Sequence, residues 1–120
     1  MVSSDQLVQD FLKGKSEHTL MLYRHFLSEY AKIGEIHLHP TKTMIAIAGP
    51  HKNIAWITQL GKNFIHVVFP FKKAHTGNLC FQKIAQVPVG ATQFNHHFRM
   101  LFLEDINREV ISFMKLAYET

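Results

Sequence analysis

Cysteine, export signals and long apolar runs are all scarce in this chain. Its 120 residues include one cysteine, Cys80. A lone cysteine excludes an intrachain disulfide framework and suits a reducing compartment. Cys80 follows the loop-like segment HTGNL with no motif partner, so it reads as a small apolar side chain. The opening MVSSDQLVQD has neither a basic n-region nor an apolar h-region, and export is not indicated. No apolar run approaches the roughly 20 residues that cross a bilayer. The expectation is a cytoplasmic protein without membrane contact. Catalytic signatures are missing as well: there is no GxSxG elbow, no phosphate-binding P-loop, no GxGxxG, no HExxH and no CxxC. No catalytic residue, metal or cofactor is therefore expected.

What is present fits one folded domain spanning 1–120. A chain of this length buries roughly two thirds of its unfolded surface, enough for a core without metal or disulfide support. The hydrophobic share of 47% supplies the side chains for it. Thirteen Lys and Arg against nine Asp and Glu give a formal charge of +4, which favours anionic partners over cationic ones.

Periodicity divides the chain into helices, then strands, then a helix. Ser3 and Ser4 can cap a short helix whose apolar positions Leu7, Val8, Phe11 and Leu12 recur at helical spacing, and Gly14 ends that run. Ser16 then opens a longer helix with Leu20, Tyr23, Phe26, Leu27 and Tyr30, stopped by Gly34. The predicted helices cover about 4–13 and 16–33. From EIHLH onward the period is two, and strands occupy about 35–103. Turns are expected at Pro40, at Gly49 and Pro50, at Gly61 and Lys62, in KKAHTGN and in PVGA. A last amphipathic helix, about 105–118, is marked by Ile106, Val110, Phe113, Met114 and Ala117, with Asp105 as its N-cap. Short turns between successive strands imply an antiparallel meander, and flanking helices imply an α+β fold. Three helices do not readily cover both faces of five or six strands. The expected architecture is an antiparallel sheet with the helices packed mainly on one face.

The segment FNHHFRM, residues 94–100, has two histidines and an arginine among apolar neighbours. Strand alternation puts Phe94, His96, Phe98, Met100 and Phe102 on one face and Asn95, His97 and Arg99 on the other. His96 is then a hydrogen-bonded histidine at the core margin, and Phe94, Phe98, Phe102, Ile106, Val110 and Phe113 should be buried. His97 and Arg99 share the polar face, where a guanidinium suits a carboxylate or phosphate; the bland alternative is an ion pair to a neighbouring acid. His37 and His39 could chelate a metal at i,i+2, but no third ligand is apparent. Trp56, Phe64, Phe69, Phe71 and Phe81 alternate with lysines in a way that could stack bases, although the core needs most of them.

Several segments in order carry a family likeness: GKS at 14–16, Gly34, PTKTMIAI at 40–47, NIAWITQLGKNFIHVVFPF at 53–71, HFRMLF at 97–102, and EDINREV leading to LAY at 116–118. Together, over roughly residues 5 to 118, the chain resembles the bacterial family called Domain of Unknown Function fifty-six fifty-five. It departs from that pattern at Gln59, where proline is common, and at Gly61 and Lys62, where a basic pair is usual. The resemblance implies no established activity. Members that stand alone or follow other domains suggest an accessory or binding module, and Lys42, His97 and Arg99 are the matching positions most suggestive of function. The leading expectation is that these three residues engage an anionic ligand or nucleic acid on the polar sheet face. Its rivals are a protein-interaction or homodimerisation module, and a hydrolase-type enzyme using His97.

Overall fold

The computed structural model describes residues 4–87 and 92–120; the expected cap at Ser3 and the expected PVGA turn lie outside them. Two helices come first, α1 (Ser4–Leu12) and α2 (Glu17–Ile33). Gly14 separates them with φ of 76°, in the left-handed region that glycine enters without strain. Ser16 caps α2 by accepting the Thr19 N–H at 3.1 Å. The buried stripe Thr19, Leu22, Tyr23, Phe26 and Tyr30 follows the helical period. After the strands, α3 (Arg108–Glu119) starts at an Asn107 cap that accepts the Val110 N–H at 2.9 Å. Its buried stripe is Val110, Met114 and Ala117. The Tyr30 hydroxyl donates to the Met114 carbonyl at 2.9 Å, joining α2 to α3 through a buried bond.

Six strands lie between: β1 (His37–Pro40), β2 (Ile45–Ala48), β3 (Asn53–Leu60), β4 (Ile65–Phe71), β5 (Phe81–Gln86) and β6 (Phe94–Met100). They form one antiparallel sheet in the order β1-β2-β3-β4-β6-β5. The fold is thus α+β, with two N-terminal helices and one C-terminal helix. The meander holds through β4 and then breaks. The connection from β4 to β5 carries β5 to the sheet edge, and β6 returns between them. β6 therefore lies in the sheet interior with strands on both sides.

The helices cover one face. Ile45, Ile47, Ile57, Ile65, Val67, Phe69, Phe98 and Met100 pack with Leu22, Phe26, Tyr30, Val110 and Met114 in one buried cluster. Each such side chain, fully buried, stabilises the fold by about 1.5–3 kcal/mol.

The end of β6 corrects one expectation. Phe102 is 59% exposed, because the strand stops at Met100 and the alternation stops with it. Asp105 causes the stop. Its carboxylate accepts the Leu101 and Phe102 N–H groups at 2.7 and 2.9 Å and folds Leu103–Asp105 into a 3-10 turn. Asp105 is thus the last residue of this turn, reaching back to the N–H of its N-cap Phe102, and the cap of α3 is Asn107 instead. Phe94 is only half-buried, and Phe113 is half-buried against the core, while Phe98, Ile106 and Val110 are buried.

Candidate functional site

On β4 the side chains of Ile65, Val67, Phe69 and Phe71 join the core, so His66, Val68 and Pro70 point to the face away from the helices. Cross-strand register then sets their neighbours. His66 lies opposite Arg99, Val68 opposite His97, and Pro70 opposite Asn95. One row crosses the whole sheet on this face: Lys83, His97, Val68, Trp56, Ala46 and His39. Its centre is a shallow depression of about 370 Å³ lined by Met44, Trp56, Thr58, Val68, Gln93, Asn95 and His97.

The two adjacent histidines of β6 part company as strand alternation requires. His96 is fully buried on the helix side. Its Nδ1 bonds the Phe94 carbonyl at 2.9 Å, and its Nε2 accepts the His75 N–H at 2.9 Å. Those partners fix the tautomer with the proton on Nδ1. The rings of Phe71 and Phe81 lie 4.8 and 5.0 Å away, and burial holds the His96 pKa below the ordinary histidine value. His97 is half-buried on the open face, with its Nδ1 2.9 Å from His66 Nε2. His66 Nδ1 is buried and has no partner among the described residues. A bare lone pair there costs less than a stranded N–H, so we assign the shared proton to His66 Nε2, donating to His97 Nδ1. The remaining His97 proton then sits on Nε2. Burial is the main cause holding both rings below the ordinary range. For His66 the charges of His97 and Arg99 add to it, and for His97 those of Lys83 and His96.

Arg99 is exposed, and its guanidinium lies 4.4 Å from the centroid of the Phe64 ring. Among the described residues no carboxylate pairs with it, so the ion-pair alternative is not what holds it. The reason lies in the sequence. From Ile36 to Leu103 the chain has no aspartate or glutamate, yet it carries seven of its lysines and arginines and seven of its nine histidines. All nine acids belong to the helical segments and their flanks. Every charge on the sheet has one sign.

Of the three expected site residues, the fold brings two together. His97 and Arg99 are neighbours on β6. Lys42 is exposed in the turn between β1 and β2, at the same end of the sheet as Arg99 but three strand spacings from β6 even when counted from β2. At about 4.8 Å per spacing that is roughly 14 Å. Nearer partners were not singled out from sequence, Lys83 opposite His97 and His66 opposite Arg99, while Trp56, one of the aromatics expected to be able to stack bases, stands in the central row. Alternation in NFIHVVFPF already turns His66 away from its apolar neighbours, but only the register shows whom it meets.

A second basic cluster lies at the other end of the sheet. Lys52, Pro70, Phe71 and Lys72 line two adjoining depressions of about 180 and 210 Å³. Lys73 and His75 extend one, and Trp56 and Gln93 border the other. Among the described residues no three of His, Cys, Asp or Glu converge as metal ligands. His37 is exposed and lies 3.3 Å from Glu35. The Cys80 thiol is pushed up to about 12, chiefly by burial and then by Glu109, so it is held protonated. No helix among the described residues is long and apolar enough to cross a membrane.

The family described as Domain of unknown function (DUF5655) matches residues 8–120, and the chain belongs to it. No curated protein and no solved structure matches the chain.

Proposed function

We propose that this DUF5655 member is a cytoplasmic, non-catalytic accessory domain that holds an anionic partner on its open sheet face. His97 and Arg99 centre the contact, Lys83 adjoins it, and Lys42 is an outlying charge that only an extended partner reaches. The observation that carries the reading is the state of Arg99. An exposed guanidinium stacked on Phe64, on a sheet with no acid of its own, is presented to an anion from outside. The hydrolase reading lacks support, since the hydrogen-bond partner of His97 is another histidine and the strands supply no carboxylate to orient it. Homodimerisation through this face would oppose like charges. The sheet edges are also blunted, β1 by Pro40 at its end and β5 by Lys83 and a register shift between Phe81 and Lys83.

The test is a titration with inorganic polyphosphate by calorimetry. Affinity should fall as salt rises. Arg99→Ala should bind about 3–10-fold more weakly with its thermal stability kept, while Lys115→Ala on α3 should bind as the parent does. Absence of binding at low salt, or equal affinity for Arg99→Ala, would overturn the reading.

A further inference from the structure

We propose that the anion is single-stranded nucleic acid, lying along β4 and β6 with an unpaired base stacked on Trp56. This rests on the anion-binding reading above and adds the identity of the partner. The first argument is span. Arg99 and His66 mark one end of the track, and Lys52 and Lys72 mark the other. Between them run the seven residues of β4, roughly 20 Å at strand rise. A phosphate ion or a mononucleotide cannot engage both ends. An extended polyanion can, and a strand at the short end of the ~4–16 nucleotides that open sheet platforms take fits the distance.

The second argument is what lies between the charges. Trp56 is the only tryptophan, and it is half-buried on the open face rather than in the core. It borders both the lysine cluster and the depression that contains His97. A simple polyanion has no use for an indole face flanked by Met44, Val68 and Pro70. A nucleobase does, because every base has a π-face to lay against it. Asn95 and Gln93 on the same path offer amide donors and acceptors to base edges.

The third argument separates single strands from duplexes and from a second copy. A sheet of six strands is roughly 24 Å wide, about twice the major groove, so a duplex would offer it only phosphates and leave Trp56 unused. A second copy brings the same positive face.

Intrinsic fluorescence reads the site directly, because its only tryptophan is Trp56. A twelve-residue oligothymidylate should quench it, and Trp56→Ala should bind that oligonucleotide at least ~10-fold more weakly by anisotropy. Trp56→Phe, which keeps an aromatic ring and guards against misfolding, should fall between the two. Polyphosphate binding should be unchanged in both variants. If polyphosphate binds through Arg99 while the oligonucleotide neither quenches Trp56 nor responds to its loss, the nucleic-acid inference fails and the anion reading survives. Polyglutamate binding more tightly than the oligonucleotide with quenching would assign an acidic protein partner instead. A duplex of the same sequence binding as tightly as the single strand would also overturn the inference. If no polyanion binds, both readings fall.

Discussion

Replacing Gly61 by alanine tests how Arg99 is presented. The glycine is needed for space: a Cβ there would overlap the edge of the Phe64 ring. The turn itself has little freedom to retreat. The Gly61 N–H donates to the Phe64 carbonyl at 2.8 Å, the buried Thr19 hydroxyl donates to the Gly61 carbonyl at 2.6 Å, and Ser16 does the same to Lys62 at 2.6 Å. The ring must therefore swing aside. It then loses its contact with the Arg99 guanidinium, about 0.5–1 kcal/mol. It also loses part of its half-burial, roughly another 1 kcal/mol. Gly61→Ala should thus cost about 1.5–2 kcal/mol in urea unfolding with an unchanged m-value. In a Phe64→Ala background the overlap is gone and the same substitution should be nearly neutral, giving a coupling of about 1.5 kcal/mol. An equal cost in both backgrounds would show that the backbone moves instead, and that Phe64 is not what the missing Cβ makes room for.

Two further outcomes follow from burial and titration. Phe98→Ala should cost about 3–5 kcal/mol, since Phe98 is 2% exposed in the core, whereas Phe102→Ala on the adjoining turn should cost under ~1 kcal/mol; similar losses at both positions would refute the point at which β6 ends. His66, His75, His96 and His97 all have folded pKa values held below the ordinary 6.5, mainly by burial. Below about pH 6.5 the unfolded chain therefore takes up protons that the folded one resists. Stability should be full above that pH and should decline as the pH falls below it, less steeply in His66→Gln/His97→Gln; a melting temperature that stays constant on acidification would contradict the buried neutral rings.

The faces of β6 were legible in FNHHFRM because alternation is local. One register decision sorts His96 from His97, and burial of Phe98 fixes that decision. The neighbours across β6 were not legible. The nine residues Lys72 to Cys80 join β4 to β5 and look like a long hairpin loop, yet they carry β5 past the place that β6 later fills. Nothing in the spacing records that exchange, so His66 could not be paired with Arg99, nor Lys83 with His97. Lys42 was grouped with them through a resemblance, which carries no distance. The acid-free stretch from Ile36 to Leu103 was visible in the letters, but a whole-chain charge of +4 conceals it by averaging the sheet with the acidic helices. Phe102 misled because alternation was extended past a strand end set by Asp105, a side chain five residues beyond Met100.

The segments that carry the family likeness do different physical work. GKS and LGK meet at the clasp where Ser16 and Thr19 hold the turn at Gly61 and Lys62. LAY closes a second clasp: Tyr118 lies against Gly34, where a Cβ would overlap its ring, and its hydroxyl donates to the Glu35 carbonyl at 3.0 Å. The strands at 40–47 and 53–71 supply Ile45, Ile47, Ile57, Ile65 and Phe69 to the core. These clasps and core side chains are accounted for by folding alone. HFRMLF is only partly so, because Phe98 and Met100 satisfy the core while His97, opposite Lys83, and the exposed Arg99 face outward on strands that carry no acid. The stability the solvent-facing guanidinium gains is its Phe64 contact, about 0.5–1 kcal/mol, and repulsion from the like charges of the sheet offsets it. Binding is the physical reason left for Arg99, and it is why Arg99→Ala should lower affinity while costing no more stability than the ~0.5–1 kcal/mol of the Phe64 contact.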